Sequence, residues 1–180
     1  VQEVPLHEPG PREVRVRVRA VGVFGSDTAY YRIGRIGDWI VDGPIILGHE
    51  AAGEVVAVGE AVTRVQVGDR VAIEPGTPCR DCADCHAGDY HLCPDLRFLA
   101  TPPYDGALIQ NLVIDERNLF GIPDSMSMEA AAIRASPPPK STLRRGSGAN
   151  PVSVRTYSMN TELPISRYRP QSQFWWQCAP

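Results

Sequence analysis

From Glu13 the chain reads EVRVRVRAVGV, with Val14, Val16 and Val18 alternating with Arg15, Arg17 and Arg19. A period of two belongs to a strand with one buried face, so the run predicts a β-strand over 13–23. After a looser segment containing Tyr30, Tyr31 and Trp39 comes GHEAAGEVVAVGEAVTRVQVGDRVAIEPG, in which Val/Ala runs are broken by Gly53, Gly59 and Gly68. Short apolar strands punctuated by glycine predict a compact β barrel or sandwich. A helical reading of this part fails because β-branched residues are frequent and glycine recurs inside every helical window. Residues 107–120, ALIQNLVIDERNLF, return to strand-like alternation with a turn at Asp115-Glu116. PDSMSMEAAAI, residues 123–133, then reads as the start of a helix that Ser127 or Asp124 could cap. The predicted class is mainly β with short helices.

The pattern stops at Ile133, and composition and charge change with it. Residues 1–133 carry 11 Arg and 20 Asp/Glu, a balance of −9, whereas residues 134–180 carry 7 Lys/Arg and one Glu, a balance of +6. The second part has seven Pro and seven Ser in 47 residues, including three consecutive prolines, and no sustained period of 2 or 3.6. Such a segment is expected to be a disordered tail, not a packed domain. Its lone Gly146-Ser147-Gly148 lacks the preceding strand and following helix that a dinucleotide turn requires.

The acidic first part has no continuous basic stripe, which argues against nucleic acid as a partner. No stretch approaches the ~18 apolar residues of a membrane span. The opening VQEVPLHEPG has neither the charged nor the apolar region of a signal peptide, so a cytoplasmic location is expected. In that setting five cysteines point to metal or redox chemistry more than to structural disulfides.

Four of them, Cys79, Cys82, Cys85 and Cys93, lie in CRDCADCHAGDYHLC. Two-residue gaps let successive thiolates turn toward one ion, and four thiolates complete a closed tetrahedral zinc site that holds structure and admits no substrate. Two disulfides, or loose surface thiols, are the competing reading. His86 and His91 lie inside the cluster, but four sulfurs satisfy the ion without them, so they read as exposed loop residues. A nucleic-acid-binding zinc ribbon would split its ligands into two pairs on a basic surface, whereas this loop carries Asp81, Asp84, Asp89 and Asp95.

Gly48-His49-Glu50 follows an apolar run. Alone, a His beside a Glu reads as a satisfied structural pair as readily as a metal site. The longer pattern G-H-E-x2-G-x5-G-x2-V, satisfied from Gly48 to Val62 and followed about thirty residues later by the four-cysteine loop, resembles the zinc-containing medium-chain alcohol dehydrogenases. GRIGDWIVDGPIILGHE and FLATPPYDGAL look like the polyol branch, of which sorbitol and xylitol dehydrogenases are members. The resemblance covers residues 1–133, the GroES-like catalytic domain. It implies an enzyme, usually homo-oligomeric, that oxidises a secondary alcohol of a polyol to a ketose. A zinc ion with an open position favours the alkoxide there, and NAD(P) accepts the hydride.

By motif position His49 would be a catalytic zinc ligand and Glu50 the carboxylate that binds the zinc or its water. Ser26 would stand in the alcohol's proton-relay position, and Tyr30, Phe98 and Thr101 would line the polyol pocket. Ser26 reads equally as a turn residue or cap, and the other three as ordinary packing.

Two departures matter. The family places a cysteine, its first catalytic zinc ligand, where this chain has Phe24 in VGVFGSD. Phenylalanine has no lone pair for a metal, so His49 and Glu50 fall short of the three protein ligands usual for catalytic zinc. After Ile133 the family continues into a Rossmann domain that binds the nicotinamide, whereas nothing beyond 133 resembles it here. Loss of resemblance in mid-helix, inversion of charge, and 17 Arg against one Lys in the whole chain are what reading a GC-rich gene in a shifted frame would produce. The expectation is a GroES-like β domain with an intact structural zinc loop and a damaged catalytic site, inactive as it stands. The alternative is a non-catalytic zinc-binding or partner-binding module.

Overall fold

The computed structural model describes residues 3–133 and the strand at 156–158. The other readings made on residues 134–180, including the disordered tail, the frame shift, the lone Gly-x-Gly and the fifth cysteine, lie outside the described residues. In chain order the elements are β1 (Glu13–Gly22), α1 (Gly25–Ile33), β2 (Arg35–Ile36), β3 (Trp39–Ile40), β4 (Glu50–Val58), β5 (Arg70–Ile73) and β6 (Gly76–Thr77). They continue with α2 (Ala83–Ala87), β7 (Arg97–Phe98), β8 (Asn111–Asp115), β9 (Leu119–Gly121), α3 (Met128–Ile133) and β10 (Thr156–Ser158).

The main sheet runs β10-β1-β4-β5-β9, with β8 also on β1. All its pairings are antiparallel. β1 is its centre: one edge pairs with β4 from Val14↔Val58 to Gly22↔Glu50, while the other is shared by β8 along Glu13–Arg17 and β10 along Ala20–Gly22. The alternation read in the sequence is realised. Val14, Val16 and Val18 are buried while Arg17 and Arg19 are exposed. Those valines join Val21, Ala51, Val55, Val71, Ile73, Ala107, Ile114 and Leu119 in one core. Each fully buried branched side chain there is worth about 1.5–3 kcal/mol of burial.

The opposite face is built of alanine. Ala20, Ala52 and Ala72 meet Ala131 and Ala132 of α3, with Met126 and Met128 at the margin, and the small side chains let the helix lie close on the sheet. Ser127 caps that helix, its Oγ accepting from Ala130 N–H at 3.2 Å. Close approach also explains Gly53, where an added Cβ would collide with the Arg17 carbonyl of the paired strand.

The turn expected at Asp115-Glu116 is a short 3-10 turn, Glu116–Asn118. The Glu116 carboxylate, buried, accepts from Thr63 N–H (2.8 Å), Arg64 N–H (3.0 Å) and Arg12 Nη1 (3.0 Å). It thereby ties three separate loops together.

The looser segment of the sequence contains a helix, α1. Its residues GSDTAYYRI bury only Asp27 and Tyr30, too few to leave an apolar stripe in the pattern. Its ends explain its limits. The Asp27 carboxylate accepts from Phe24 N–H at 2.9 Å, one half of a capping box that Phe24, lacking a side-chain oxygen, cannot complete. Gly34, at φ 74°, closes the helix with its N–H on Tyr30 O.

Candidate functional site: a four-thiol centre and a histidine cleft

The cysteine lobe stands on the neck formed by β6 and β7, which pair as Gly76↔Phe98 and Thr77↔Arg97. Cys82 opens α2, Cys85 lies within it, and Cys93 follows a 3-10 turn over Tyr90–Leu92. The four Sγ atoms lie within 4.8 Å of one another, with Cys79 and Cys85 at 3.9 Å. A tetrahedral zinc at about 2.3 Å from each sulfur needs them about 3.8 Å apart. The donor set therefore fits zinc. Backbone N–H groups already face the sulfurs: Cys79 N–H donates to Cys93 Sγ at 3.3 Å and Asp81 N–H to Cys79 Sγ at 3.5 Å.

Proton affinities in the cluster are spread apart. The Asp81 N–H, with help from Cys82 N–H and the Cys93 thiol, lowers Cys79 to about 7. Desolvation and the adjoining thiols push Cys85 up to about 12. Four sulfurs this close cannot all ionise without a cation among them, so metal binding must release protons. His86 and His91 are exposed, and His86 Nε2 reaches only Asp81, itself exposed, at 3.8 Å.

The second constellation lies where β1 runs into α1 and the chain returns into β4. Gly48, at φ 86°, makes the bend, and a Cβ there would press on Val21 and Leu108. Asp27 joins the two segments, being only 3% exposed. Its Oδ1 accepts from Gly48 N–H at 2.7 Å, and its Oδ2 accepts from Phe24 N–H and lies 3.9 Å from His49 Nδ1. At that distance the His49 contact is electrostatic and not a hydrogen bond. Burial opposes ionisation of Asp27, but His49 and the two N–H groups outweigh it and hold the carboxyl below its usual range.

His49 lies against two aromatic rings. Phe24 meets it edge-on at 5.8 Å and Phe98, from β7, at 5.5 Å. Glu50 leans across Gly22, where a Cβ would come within 2.7 Å of its Oε2. Desolvation raises the Glu50 carboxyl, moderated by His49. Tyr30 is buried, and burial raises its hydroxyl against the influence of the Thr101 side chain beside it. Ser26 sits half-buried in the first turn of α1.

Of the residues singled out in the sequence, the fold thus brings Phe24, His49 and Phe98 together in one aromatic cluster, with Glu50 next in chain to His49, and separately brings Tyr30 to Thr101. It does not gather a third metal donor. Among the described residues the four cysteines are the only group of three or more potential ligands close enough to share an ion. Phe24 fills the missing place with a ring, and both oxygens of Asp27 are engaged by N–H groups. Zinc does not fit this cleft as it fits the lobe. Asp27 is the organising residue that no role had been assigned in the sequence. The capping spacing Phe24–Asp27 was a signal for it, obscured because Phe24 is not a capping type.

Residues 10–124 match the alcohol dehydrogenase GroES-like domain. The chain belongs to that family. Sorbitol dehydrogenase from Bacillus subtilis is 50% identical over 133 residues, covering 74% of this chain and 38% of the relative. A probable D-xylulose reductase A from Aspergillus fumigatus is 48% identical over 123 residues, covering 68% and 34%. Among solved structures, an Escherichia coli oxidoreductase of unknown specificity superposes with a TM-score of 0.66 at 42% identity, covering 73% of this chain and 38% of that one. The chain thus spans little more than a third of the length of the curated relatives it matches. The GroES-like β fold expected from the motifs is the fold observed, and the two curated relatives are named for sorbitol and D-xylulose. No helix of the described residues is long and apolar enough to cross a membrane.

Proposed function

We propose that this chain is the GroES-like part of a zinc- and NAD(P)-dependent polyol dehydrogenase whose cysteine lobe holds a structural zinc and whose histidine cleft holds no catalytic metal. With a ring where a thiolate ligand would stand, it does not oxidise polyols. The observation that carries the second half is Phe24: the position that would supply a thiolate supplies a ring, packed against the imidazole it would have joined at the ion. In an intact relative of this type, zinc would lower the pKa of the bound alcohol. Here no such step is drawn.

The resemblance assigns Tyr30, Thr101, Ser26 and Phe98 to a hydroxylated ligand: Tyr30 and Thr101 lie side by side, and Ser26 offers a hydroxyl that can both donate and accept. A polyol such as sorbitol or xylitol is the substrate class that the relatives suggest. Four unpaired thiols within reach of one ion favour a reducing compartment such as the cytoplasm, and self-association is the family's usual state.

A second reading, a zinc-binding module that serves a partner and not a reaction, is favoured by the contrast between a complete sulfur centre and an incomplete histidine cleft. The purified chain, zinc-loaded, is assayed for NAD+ reduction with sorbitol and with xylitol. No turnover is expected, and turnover above a zinc-free control refutes the proposal. Phe24→Cys should add a metal site.

A further inference from the structure

Between the end of β5 and the first cysteine the chain is gripped by one side chain. Asn118, wholly buried at the end of the 3-10 turn, donates from Nδ2 to the carbonyls of Glu74 (2.8 Å) and Gly76 (3.0 Å), with Thr77 Oγ1 at 3.0 Å. Its backbone carbonyl accepts from Glu74 N–H at 2.8 Å. Both amide hydrogens are therefore directed at one six-residue stretch, 74–79, that leads into the lobe. Asn118 Oδ1 is buried without a hydrogen-bond partner. Turning the amide over would set that oxygen against two carbonyl oxygens, so the orientation is dictated by the stretch it holds.

The grip reaches the sulfurs through a short path. Thr77 stands two residues before Cys79, whose N–H already points at Cys93 Sγ. β6, which contains Gly76 and Thr77, is also the strand that β7 pairs with, and Leu99 N–H closes onto Pro75 O at 3.1 Å. Both ends of the lobe are thus referred to the same few backbone atoms. A closed four-sulfur site forms only if the chain ends that carry its ligands already converge, because ligand groups held by their surroundings lose less freedom on binding.

We infer that Asn118 is a positioning residue for the metal centre: its amide holds the 74–77 backbone so that Cys79 and Cys93 are presented together before the ion arrives. This rests on the reading that the four cysteines hold a metal. Nothing in the pattern N-L-F after DER marks the residue for that role, and it lies 25 residues beyond Cys93, the last cysteine of the lobe.

The test uses cobalt(II) as a spectroscopic substitute, titrated into the reduced full chain in competition with a chromophoric chelator. The sulfur-to-cobalt charge-transfer bands are the readout, and far-UV circular dichroism monitors folding. Asn118→Asp keeps the shape but turns a donor into an acceptor facing two carbonyls; a loss of roughly 10- to 100-fold in cobalt affinity is expected, the range typical of groups that orient metal ligands. Thr77→Val, which removes one contact and leaves the main sheet untouched, should weaken affinity by about threefold, as loss of one neutral hydrogen bond implies, and carries the test if Asn118→Asp does not fold.

Ser127→Ala is the control for general destabilisation. It removes the cap of α3, and should lower the urea midpoint without changing cobalt affinity. Folded Asn118→Asp binding cobalt within about twofold of the parent overturns the inference, as does an unchanged Thr77→Val. Equal weakening by Ser127→Ala at equal loss of stability overturns it too. A parent chain that develops no sulfur-to-cobalt bands would instead refute the underlying metal reading.

Discussion

Replacing Asp27 by alanine removes the one group that fastens the start of α1 to the bend before β4. Two acceptors are lost. The bond from Gly48 N–H, 2.7 Å and fully buried, is charge-assisted and leaves an unsatisfied donor behind, worth about 2–3 kcal/mol. The bond from Phe24 N–H, at a half-exposed helix end, has the value of a helix cap, about 1 kcal/mol. The total, about 3–4 kcal/mol, is a large share of the ~5–15 kcal/mol by which domains are stable.

With a urea dependence of about 2 kcal/mol per molar, the unfolding midpoint of the zinc-saturated chain should fall by about 1.5–2 M. Circular dichroism at the β-sheet minimum follows the transition. Asp27→Asn should cost only about 1 kcal/mol, because its remaining oxygen can keep the shorter bond to Gly48 while the amide nitrogen faces Phe24 N–H. If Asp27→Ala shifts the midpoint by less than about 0.5 M, equivalent to 1 kcal/mol, Asp27 is not the fastening of the cleft.

Acid should probe Glu116. The Thr63 N–H, with Arg64 N–H and Arg12, lowers its folded pKa against the opposing effect of burial. Its stabilisation is therefore complete above the unfolded value near 4.3 and is lost as pH falls through the lower folded value. The acid limb of a stability-versus-pH curve should flatten in Glu116→Gln, and parallel limbs in the two proteins would refute this. Gly53→Ala forces a Cβ onto the Arg17 carbonyl at the centre of the sheet. Strand β1 or β4 must shift, and the variant should be insoluble or lose more than ~3 kcal/mol; a thermal melt within a few degrees of the parent would count against the register. Chelation of zinc should release the lobe alone. Limited proteolysis is expected to cut within residues 79–93 while the sheet's circular dichroism persists, and uniform degradation would show that the sheet depends on the ion.

The strands were readable because their periodicity is a local property. Val14, Val16 and Val18 must share a face whatever lies beyond. The sulfur lobe was readable for a related reason, since its four ligands fall within fifteen residues. The helix α1 was not, because its stability comes from Asp27, whose partner Gly48 is 21 positions away, and not from an apolar stripe. The tilted contact of Phe98 with His49 and the approach of Thr101 to Tyr30 depend on how β7 leaves the lobe, and no spacing encodes that. Phe24 is the opposite case. Its chemical consequence was plain from the residue type, while its position, edge-on to the imidazole, required the fold.

The most direct test is the zinc content of the purified, reduced chain after dialysis, by inductively coupled plasma mass spectrometry, beside Phe24→Cys. One zinc per parent chain, resistant to a weak chelator, and a second, weaker one appearing only in Phe24→Cys is the result expected of a complete sulfur centre and a cleft short of one ligand. Two zincs in the parent, or none, would contradict it.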